Sequence, residues 1–362
     1  MKIKSLELSC FRNYNSLRME FSDGVNILYG DNAQGKTNIL EAICVGATTK
    51  SQKGSKEKEM IQLGQEESHI RMYVNKNDID HKIDMHLRKG KAKIAAMDGV
   101  SIRKSTELYG MVHVISFSPE DLSVIKDGPA QRRRMIDMEL CQLDKIYMHE
   151  LSKYNKLIDQ RNSLLKQISG NNSLMDTLFV WDEQLVACGS VIINSRKKFI
   201  DNLNELVKPV HERLSGGKES LSLYYEPNTS PEAFMRELKS DREKELILKT
   251  TLHGPHRDDL GFYLEENDVR KFGSQGQQRT CALSLKLAEI DMVKEIIKDE
   301  PVLLLDDVLS ELDRNRQNQL LDSINGIQTI ITCTGLEEFV KERLHSDKIY
   351  HVVDGTVQAE EN

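Results

Sequence analysis

Proline is scarce in this chain of 362 residues, with seven against 21 glycines, which leaves no room for a collagen-like or proline-rich class. No apolar run approaches the roughly 20 residues that a membrane span needs. Met1-Lys2-Ile3-Lys4-Ser5-Leu6-Glu7 lacks an apolar h-region, so a secretory signal is not expected. Cys10, Cys44, Cys141, Cys188, Cys281 and Cys333 include no C-x-x-C pair. That gives a zinc cluster no support and predicts reduced, mostly buried thiols of a cytoplasmic protein. No internal repeat or low-complexity tract is evident.

What is present suffices for a core. Hydrophobic residues make up 39% and charged residues 30%, so global disorder is excluded. The length allows one large domain or two to three ordinary ones. The formal net charge is −7, unevenly spread. Residues 1–120 carry 18 Lys+Arg against 15 Asp+Glu, residues 121–250 carry 20 of each, and residues 251–362 carry 12 against 22. A polyanion-binding face is therefore sought in the first two-thirds.

Texture divides the chain into three parts: 1–120, 121–250 and 251–362. Lys2 to Leu8 and Gly24 to Tyr29 read as strands, and Thr37 to Val45 as a helix. Ile70 to Val74, Ile79 to Leu87 and Val112 to Phe117 are further strand candidates. Between Pro119 and Pro231 the pattern turns helical, over Ala130 to Ile168 and over Leu174 to Leu206, which carries Trp181. Pro231 to Lys249 reads as one more helix. Residues 121–250 thus form a mainly helical lobe inserted into an α/β domain. In the last part, Arg279 to Ile297 is an amphipathic helix. Val302-Leu303-Leu304-Leu305 has the unbroken apolar character of a strand buried on both faces of a parallel sheet, as has Ile327 to Thr332.

Gly30-Asp31-Asn32-Ala33-Gln34-Gly35-Lys36-Thr37 fits G-x-x-x-x-G-K-[ST] between a strand and a helix, the context a phosphate-binding loop requires. The glycines let backbone N–H groups converge on phosphate oxygens, and the helix start adds the positive end of its dipole. Lys36 can reach the β- and γ-phosphates of ATP, and the Thr37 hydroxyl can ligate Mg²⁺. Leu303-Leu304-Leu305-Asp306-Asp307 supplies the other half, with Asp306 beside the metal shell and Asp307 toward the attacking water. ABC-class ATPases mostly carry Glu at the Asp307 position, so the base here is one methylene shorter and hydrolysis is expected to be slow.

Phe272-Gly273-Ser274-Gln275-Gly276-Gln277-Gln278-Arg279 resembles the ABC-type signature loop, which binds the γ-phosphate held by a second subunit. Asp306 follows Ser274 by 32 residues, and Ser310-Glu311-Leu312-Asp313 stands where that class has its D-loop. His253 and His256 could pair on a metal, but Gly254 and Pro255 between them make structural roles the expectation. Arg257-Asp258-Asp259 reads as an internal ion-pair cluster.

Taken together these motifs resemble the RecF family of bacterial recombination mediator ATPases, relatives of the SMC heads. The likeness runs nearly end to end. It takes in Phe11-Arg12-Asn13-Tyr14, Gly30 to Asn38 and Phe117-Ser118-Pro119-Glu120-Asp121-Leu122. It continues through Gly128 to Arg134, Gly254 to Leu260, Ser274 to Thr280 and Leu303 to Asp313. Met135 departs from the usual aromatic, no His switch stands near Thr332-Cys333-Thr334, and no Q-loop glutamine is clear near Ser116–Glu120. The resemblance implies an α/β, ABC/SMC-type P-loop ATPase head. Arg12 and Asn13 match the family's nucleotide-contacting pair, with a surface turn as the plain alternative. It implies nucleotide contacts over Gly30, Asp31, Asn32, Ala33, Gln34, Gly35, Lys36, Thr37 and Asn38. From a second subunit come Ser274, Gln275, Gly276 and Gln277. Lys36, Asp307 and Ser274 are the catalytic set.

The expected function is an ATP-dependent, DNA-binding recombination mediator in DNA repair and replication restart. An ATP-induced head-to-head homodimer would clamp DNA at single-/double-strand junctions or gaps, and hydrolysis would release it. RecR is the implied partner, with RecO in the same pathway. The motor subunit of an ABC transporter is the alternative. The 238 residues between Lys36 and Ser274 exceed the transporter spacing. Long SMC arms do not fit an insert of this length. For the DNA face, Arg88, Lys89, Lys91 and Lys93 stand out as a basic hairpin tip, with a solvated turn as the competing reading. Arg132-Arg133-Arg134 is weaker, since pairing with Asp137 and Glu139 would explain it.

Overall fold

The computed structural model describes residues 1–103, 107–122, 124–168, 172–335 and 346–360. The chain opens with β1 (Lys2–Phe11), β2 (Tyr14–Glu20), β3 (Val25–Tyr29), α1 (Lys36–Thr48), α2 (Glu57–Met60), β4 (Glu67–Lys76) and β5 (Ile79–Arg88). β6 (Ile94–Met97), β7 (Val100–Ile102), β8 (Val114–Phe117), α3 (Pro119–Leu122), α4 (Pro129–Leu143), α5 (Lys145–Ile168) and α6 (Leu178–Ser215) follow. Then come β9 (Leu221–Glu226), α7 (Pro231–Ser240), α8 (Arg242–Leu248), β10 (Asp259–Leu264), β11 (Asn267–Asp268), α9 (Val269–Phe272) and α10 (Gln275–Ile297). β12 (Val302–Asp306), α11 (Arg314–Ser323), β13 (Thr329–Cys333), β14 (Ser346–Val353) and β15 (Thr356–Ala359) close it. Two compact units result, Met1–Asp121 with Glu289–Asn362, and Leu122–Ala288.

The first unit holds two six-stranded sheets. One is antiparallel, in the order β2-β1-β4-β5-β6-β7. Its alternating residues bury Leu6, Leu8, Ile70, Met72, Ile83 and Met85 on one face. The other runs β15-β14-β3-β13-β12-β8 and is parallel except for β15. β12 is buried at every position, as its unbroken apolar run predicts. Register places Asp306 beside Thr332 and Cys333 beside Tyr29, so the carboxyl ends of β3, β13 and β12 align. Open parallel sheets bind their ligands at that end.

In the second unit, the pattern read as one helix over Ala130–Ile168 is two. Asp144 adopts an extended conformation and its Oδ1 accepts from the N–H groups of Ile146 (2.8 Å) and Tyr147 (3.1 Å). That side chain caps α5, so a hydrophilic cap interrupts a continuous apolar stripe. α6 runs past the expected Leu206, through Pro209, to Gly216 at φ 68°. The stretch Pro231–Lys249 also divides, at Asp241. β9, β10 and β11 form a small antiparallel sheet, with Leu260 opposite Tyr225. This pairing ties 259–264 to 221–226, so the compact unit extends to Ala288 rather than to 250.

Buried charges hold this second unit together. Arg161 and Asp182 are fully buried and 2.8 Å apart, and Arg161 also meets Glu245 (2.6 Å) and the Thr251 hydroxyl (2.8 Å). Arg196 reaches Asp258 (3.0 Å), Asp137 (2.8 Å) and the Pro255 carbonyl (2.6 Å). Arg132 pairs with Asp259 at 2.6 Å instead of with Asp137 or Glu139. Asp258 and Asp259 therefore serve as an internal lock, as an ion-pair cluster predicts, whereas Arg257 is exposed and donates to the Thr251 carbonyl (3.0 and 3.1 Å). His256 is part of the lock. Its Nε2 donates to the Thr251 carbonyl (3.2 Å), so its Nδ1 accepts from the Tyr154 hydroxyl (2.8 Å). Of the six free cysteines, five are buried and Cys10 is partly so. Among the described residues no helix is long and apolar enough to cross a membrane.

Candidate functional site

The loop between β3 and α1 has a shape that side chains would spoil. Gly30 sits at φ 150°, where a Cβ would come 2.3 Å from the Val352 carbonyl oxygen. Gly35 sits at φ 114°, where one would come 2.5 Å from Asn13 Nδ2. Ala33, at φ 65°, completes the curl. Asn13 braces the loop: its Nδ2 donates to the Gln34 carbonyl (2.9 Å) and its Oδ1 accepts from Asn38 (2.8 Å). The backbone N–H of Asp354 donates to Gln34 Oε1 (2.5 Å), clamping the loop from the β14–β15 turn. Asp31, Asn32 and Ala33 lie exposed at the rim.

α1 starts at Lys36 with no side-chain cap and no acidic residue in its first turn. The N–H groups of Lys36 and Thr37 therefore face outward toward an anion, while that of Asn38 donates to the Gly35 carbonyl (2.9 Å). Lys36 is buried, its ammonium donating to the carbonyls of Gly30 (2.5 Å) and Asp31 (2.7 Å). Burial lowers its pKa, opposed by Asp307, Asp306 and Asp31.

At the end of β12, Asp306 Oδ1 accepts from the hydroxyls of Thr37 and of Thr332, each at 2.8 Å. Thr332 Oγ1 in turn accepts from the Asp307 N–H at 3.0 Å, and the Thr332 carbonyl accepts from it at 3.2 Å. This grip holds Asp307 at φ 53°, a left-handed conformation that costs a non-glycine residue free energy. Asp307 Oδ1 is buried without a hydrogen-bond partner. Burial raises its pKa, against the pull of Ser310 and Lys36. Thr37 and Asp306 offer hard oxygen donors side by side, the set a Mg²⁺ takes together with substrate phosphate and water. Among the described residues no cluster of three or more His, Cys, Asp or Glu could hold a metal.

Arg12 is engaged otherwise than with the loop. Its guanidinium grips Glu41 through Nε (2.7 Å) and Nη2 (2.9 Å) and also meets Ser55 (2.6 Å) and the Glu59 carbonyl (2.7 Å). Sequence reasoning passed over Thr332, noting only the absent His switch beside it; a hydroxyl at the carboxyl end of the middle strand was the available signal.

In the second unit, Ser274 just ahead of α10 and Gln275 and Gly276 in its first turn are exposed. Ser274 Oγ accepts from the Gln277 N–H (3.2 Å), and Gln277 Oε1 accepts from the Ser274 N–H (2.8 Å), a reciprocal capping box. At the β5–β6 hairpin the four cations differ. Lys93 pairs with Glu57 (2.9 Å) and donates to the Thr49 carbonyl, and Lys89 lies 3.3 Å from Glu66. Arg88 donates to the Ala92 carbonyl (3.0 Å), and Lys91 is exposed.

This geometry agrees with the comparisons. Residues 2–358 match the RecF/RecN/SMC N terminal domain family. The DNA replication and repair protein RecF of Lachnoclostridium phytofermentans is 61% identical over 358 residues, covering 99% of each chain. The chain belongs to the RecF family. RecF of Agathobacter rectalis is 57% identical over the same share of both chains. A structure of the recombination mediator protein RecF with ATP, in the RecFOR pathway, superposes with a TM-score of 0.92 at 34% identity, covering 99% of this chain and 97% of that one. An Smc head bound to the C-winged helix domain of ScpA shares the fold alone, at 18% identity and a TM-score of 0.58. The fold is thus that of an ABC/SMC-type ATPase head, and the RecF family places the chain among proteins of DNA replication and repair.

Proposed function

We propose that this chain is a RecF-type recombination mediator, an ATPase that binds ATP, pairs head to head with a second copy, and clamps DNA until hydrolysis releases it. The observation that carries the reading is the alignment of the Gly30–Thr37 loop with Asp306, Asp307 and Thr332 at one end of the parallel sheet. The solved structure of RecF with ATP supports ATP as the nucleotide.

The loop N–H groups and Lys36 would cradle the phosphates, with Lys36 exchanging its carbonyl partners for phosphate oxygens. Thr37 and Asp306 would hold Mg²⁺, which when bound neutralises the phosphate charge. Asp307, with its unpartnered Oδ1, would take the proton of the attacking water. Asp reaches less far than Glu, which favours slow turnover. Ser274 of the second copy would close the phosphate site through its hydroxyl and the start of α10. ATP then acts as interface glue, and loss of the γ-phosphate opens the clamp. The setting is cytoplasmic, with RecR as partner and RecO in the same pathway.

The basic β5–β6 hairpin contributes to the DNA face, chiefly through Lys91, since Lys89 and Lys93 are ion-paired. The test is retention of gapped DNA with and without Mg·ATP across a salt series. Retention that requires ATP and falls with salt is expected, and the Arg88, Lys89, Lys91 and Lys93 to Ala variant should flatten the log–log slope by about 0.9 for each phosphate no longer neutralised. ATP-independent retention would contradict the clamp.

A further inference from the structure

Gln277 holds the start of α10 in its capping box through one orientation of its side-chain amide. The oxygen must face the Ser274 N–H and the nitrogen must face away from it. Within the loop the Ser274 N–H favours that choice, since the two ends of an amide are nearly identical in shape and differ only in donor and acceptor character. A second enforcing group lies 58 residues upstream: Gln277 Nε2 donates to Glu219 Oε1 at 2.8 Å. A carboxylate can only accept, so a reversed amide would set two acceptors against each other at Glu219 and two donors against each other at Ser274.

Glu219 lies in the turn between α6 and β9, just after Gly216-Gly217. Behind it lies His211, fully buried, with Nε2 3.6 Å from Glu219 Oε2 and not hydrogen-bonded to it. The Ser284 hydroxyl donates to the Thr280 carbonyl (2.8 Å), so His211 Nδ1–H donates to Ser284 Oγ (2.9 Å). The imidazole is thereby fixed from α10 itself, behind the carboxylate.

We propose that Glu219 is a positioning residue for the signature loop: it fixes the Gln277 amide, and the amide sets Ser274. With the Gln277 N–H donating to Ser274 Oγ, the oxygen's lone pair is used while its proton stays available. Ser274 is thus presented as a donor, the role an incoming phosphate oxygen requires. The inference rests on the two-copy reading given above. It deepens that reading by placing a control point for assembly outside every recognised motif.

The test uses three Glu219 variants of the full chain. Glu219→Gln keeps an acceptor but can also turn its own amide to donate, so it should fall between the wild type and Glu219→Ala. Glu219→Ala removes it. Glu219→Lys offers only donors and should reverse the amide. Because a twofold dimer holds the Ser274 site twice, a loss of about threefold per site becomes about tenfold in the ATP-dependent dimerisation constant. That is the expectation for Glu219→Ala, with a larger loss for Glu219→Lys. ATP binding by the single copy should not change. Adding Gln277→Glu to Glu219→Lys should restore assembly, since that carboxylate accepts from Ser274 N–H and from the lysine together. Hydrogen exchange of the nucleotide-free protein over residues 272–278 gives a readout independent of dimerisation. Faster exchange at Ser274 in Glu219→Lys, slowed again in the double variant, supports the brace even if the wild type fails to dimerise, an outcome that would refute the two-copy reading alone. Unchanged exchange in Glu219→Lys overturns the inference.

Discussion

Two buried clusters, one in each unit, treat charge in opposite ways. In Leu122–Ala288, Arg161 is answered by Asp182, Glu245 and Thr251, and Arg196 by Asp137, Asp258 and Pro255. At the Gly30–Thr37 loop of the other unit, the buried ammonium of Lys36 is met by two carbonyls, and Asp307 Oδ1 has no partner. A saturated cluster holds a fold in register. An unsaturated one carries a standing cost that a ligand can relieve. That incompleteness is what makes the Lys36–Asp307 cluster the place proposed for a ligand.

Removing the ammonium should break that contrast most severely. Lys36→Met is expected to abolish binding of a fluorescent ATP analogue while circular dichroism and melting stay near the wild type. Normal binding by that variant would move the nucleotide site elsewhere. In the saturated cluster the reverse should hold. Arg161→Ala leaves the fully buried Glu245 without its ionic partner and Asp182 with Arg242 alone, and should cost about 3–5 kcal/mol of stability. Trp181, the single tryptophan and a residue of α6, reports on this unit by fluorescence during urea unfolding. ATP binding by whatever fraction remains folded should persist.

A gentler probe of the same unit is pH. Burial, opposed by the Thr251 carbonyl, pushes the His256 pKa down to about 4. The folded imidazole stays neutral while the unfolded one takes a proton near pH 6.5. The stability it shares in is thus present above about pH 6.5 and is lost as pH falls toward 4, by about 2 kcal/mol at pH 5. Urea unfolding followed at Trp181 should show that loss, and His256→Asn should flatten it. An equal slope in the variant would assign the loss to other groups.

Much of this was legible in the sequence because the chemistry is local. Gly30 to Thr37 and Leu303 to Asp307 are continuous segments whose spacing carries their geometry. The buried run at β12 announced a parallel sheet. What stayed hidden depends on pairing between distant segments. Asp144 looked like one polar position in a helical stripe, and its capping role shows only in its bonds to Ile146 and Tyr147. The β9–β10 pairing that carries the second unit past residue 250 has no short-range signal. Glu219 reaches Gln277 across 58 residues. Arg12 stands in a motif, and its pairing with Glu41, 29 residues on, is not announced by that motif.

The central claim is that two copies share ATP between the Lys36 loop of one and Ser274 of the other. Sedimentation with and without saturating Mg·ATP tests it on the wild type, Ser274→Arg and Asp307→Asn. The account predicts a nucleotide-dependent dimer for the wild type, an ATP-binding monomer for Ser274→Arg and a persistent ATP-bound dimer for Asp307→Asn. The same oligomeric state for both variants would contradict it.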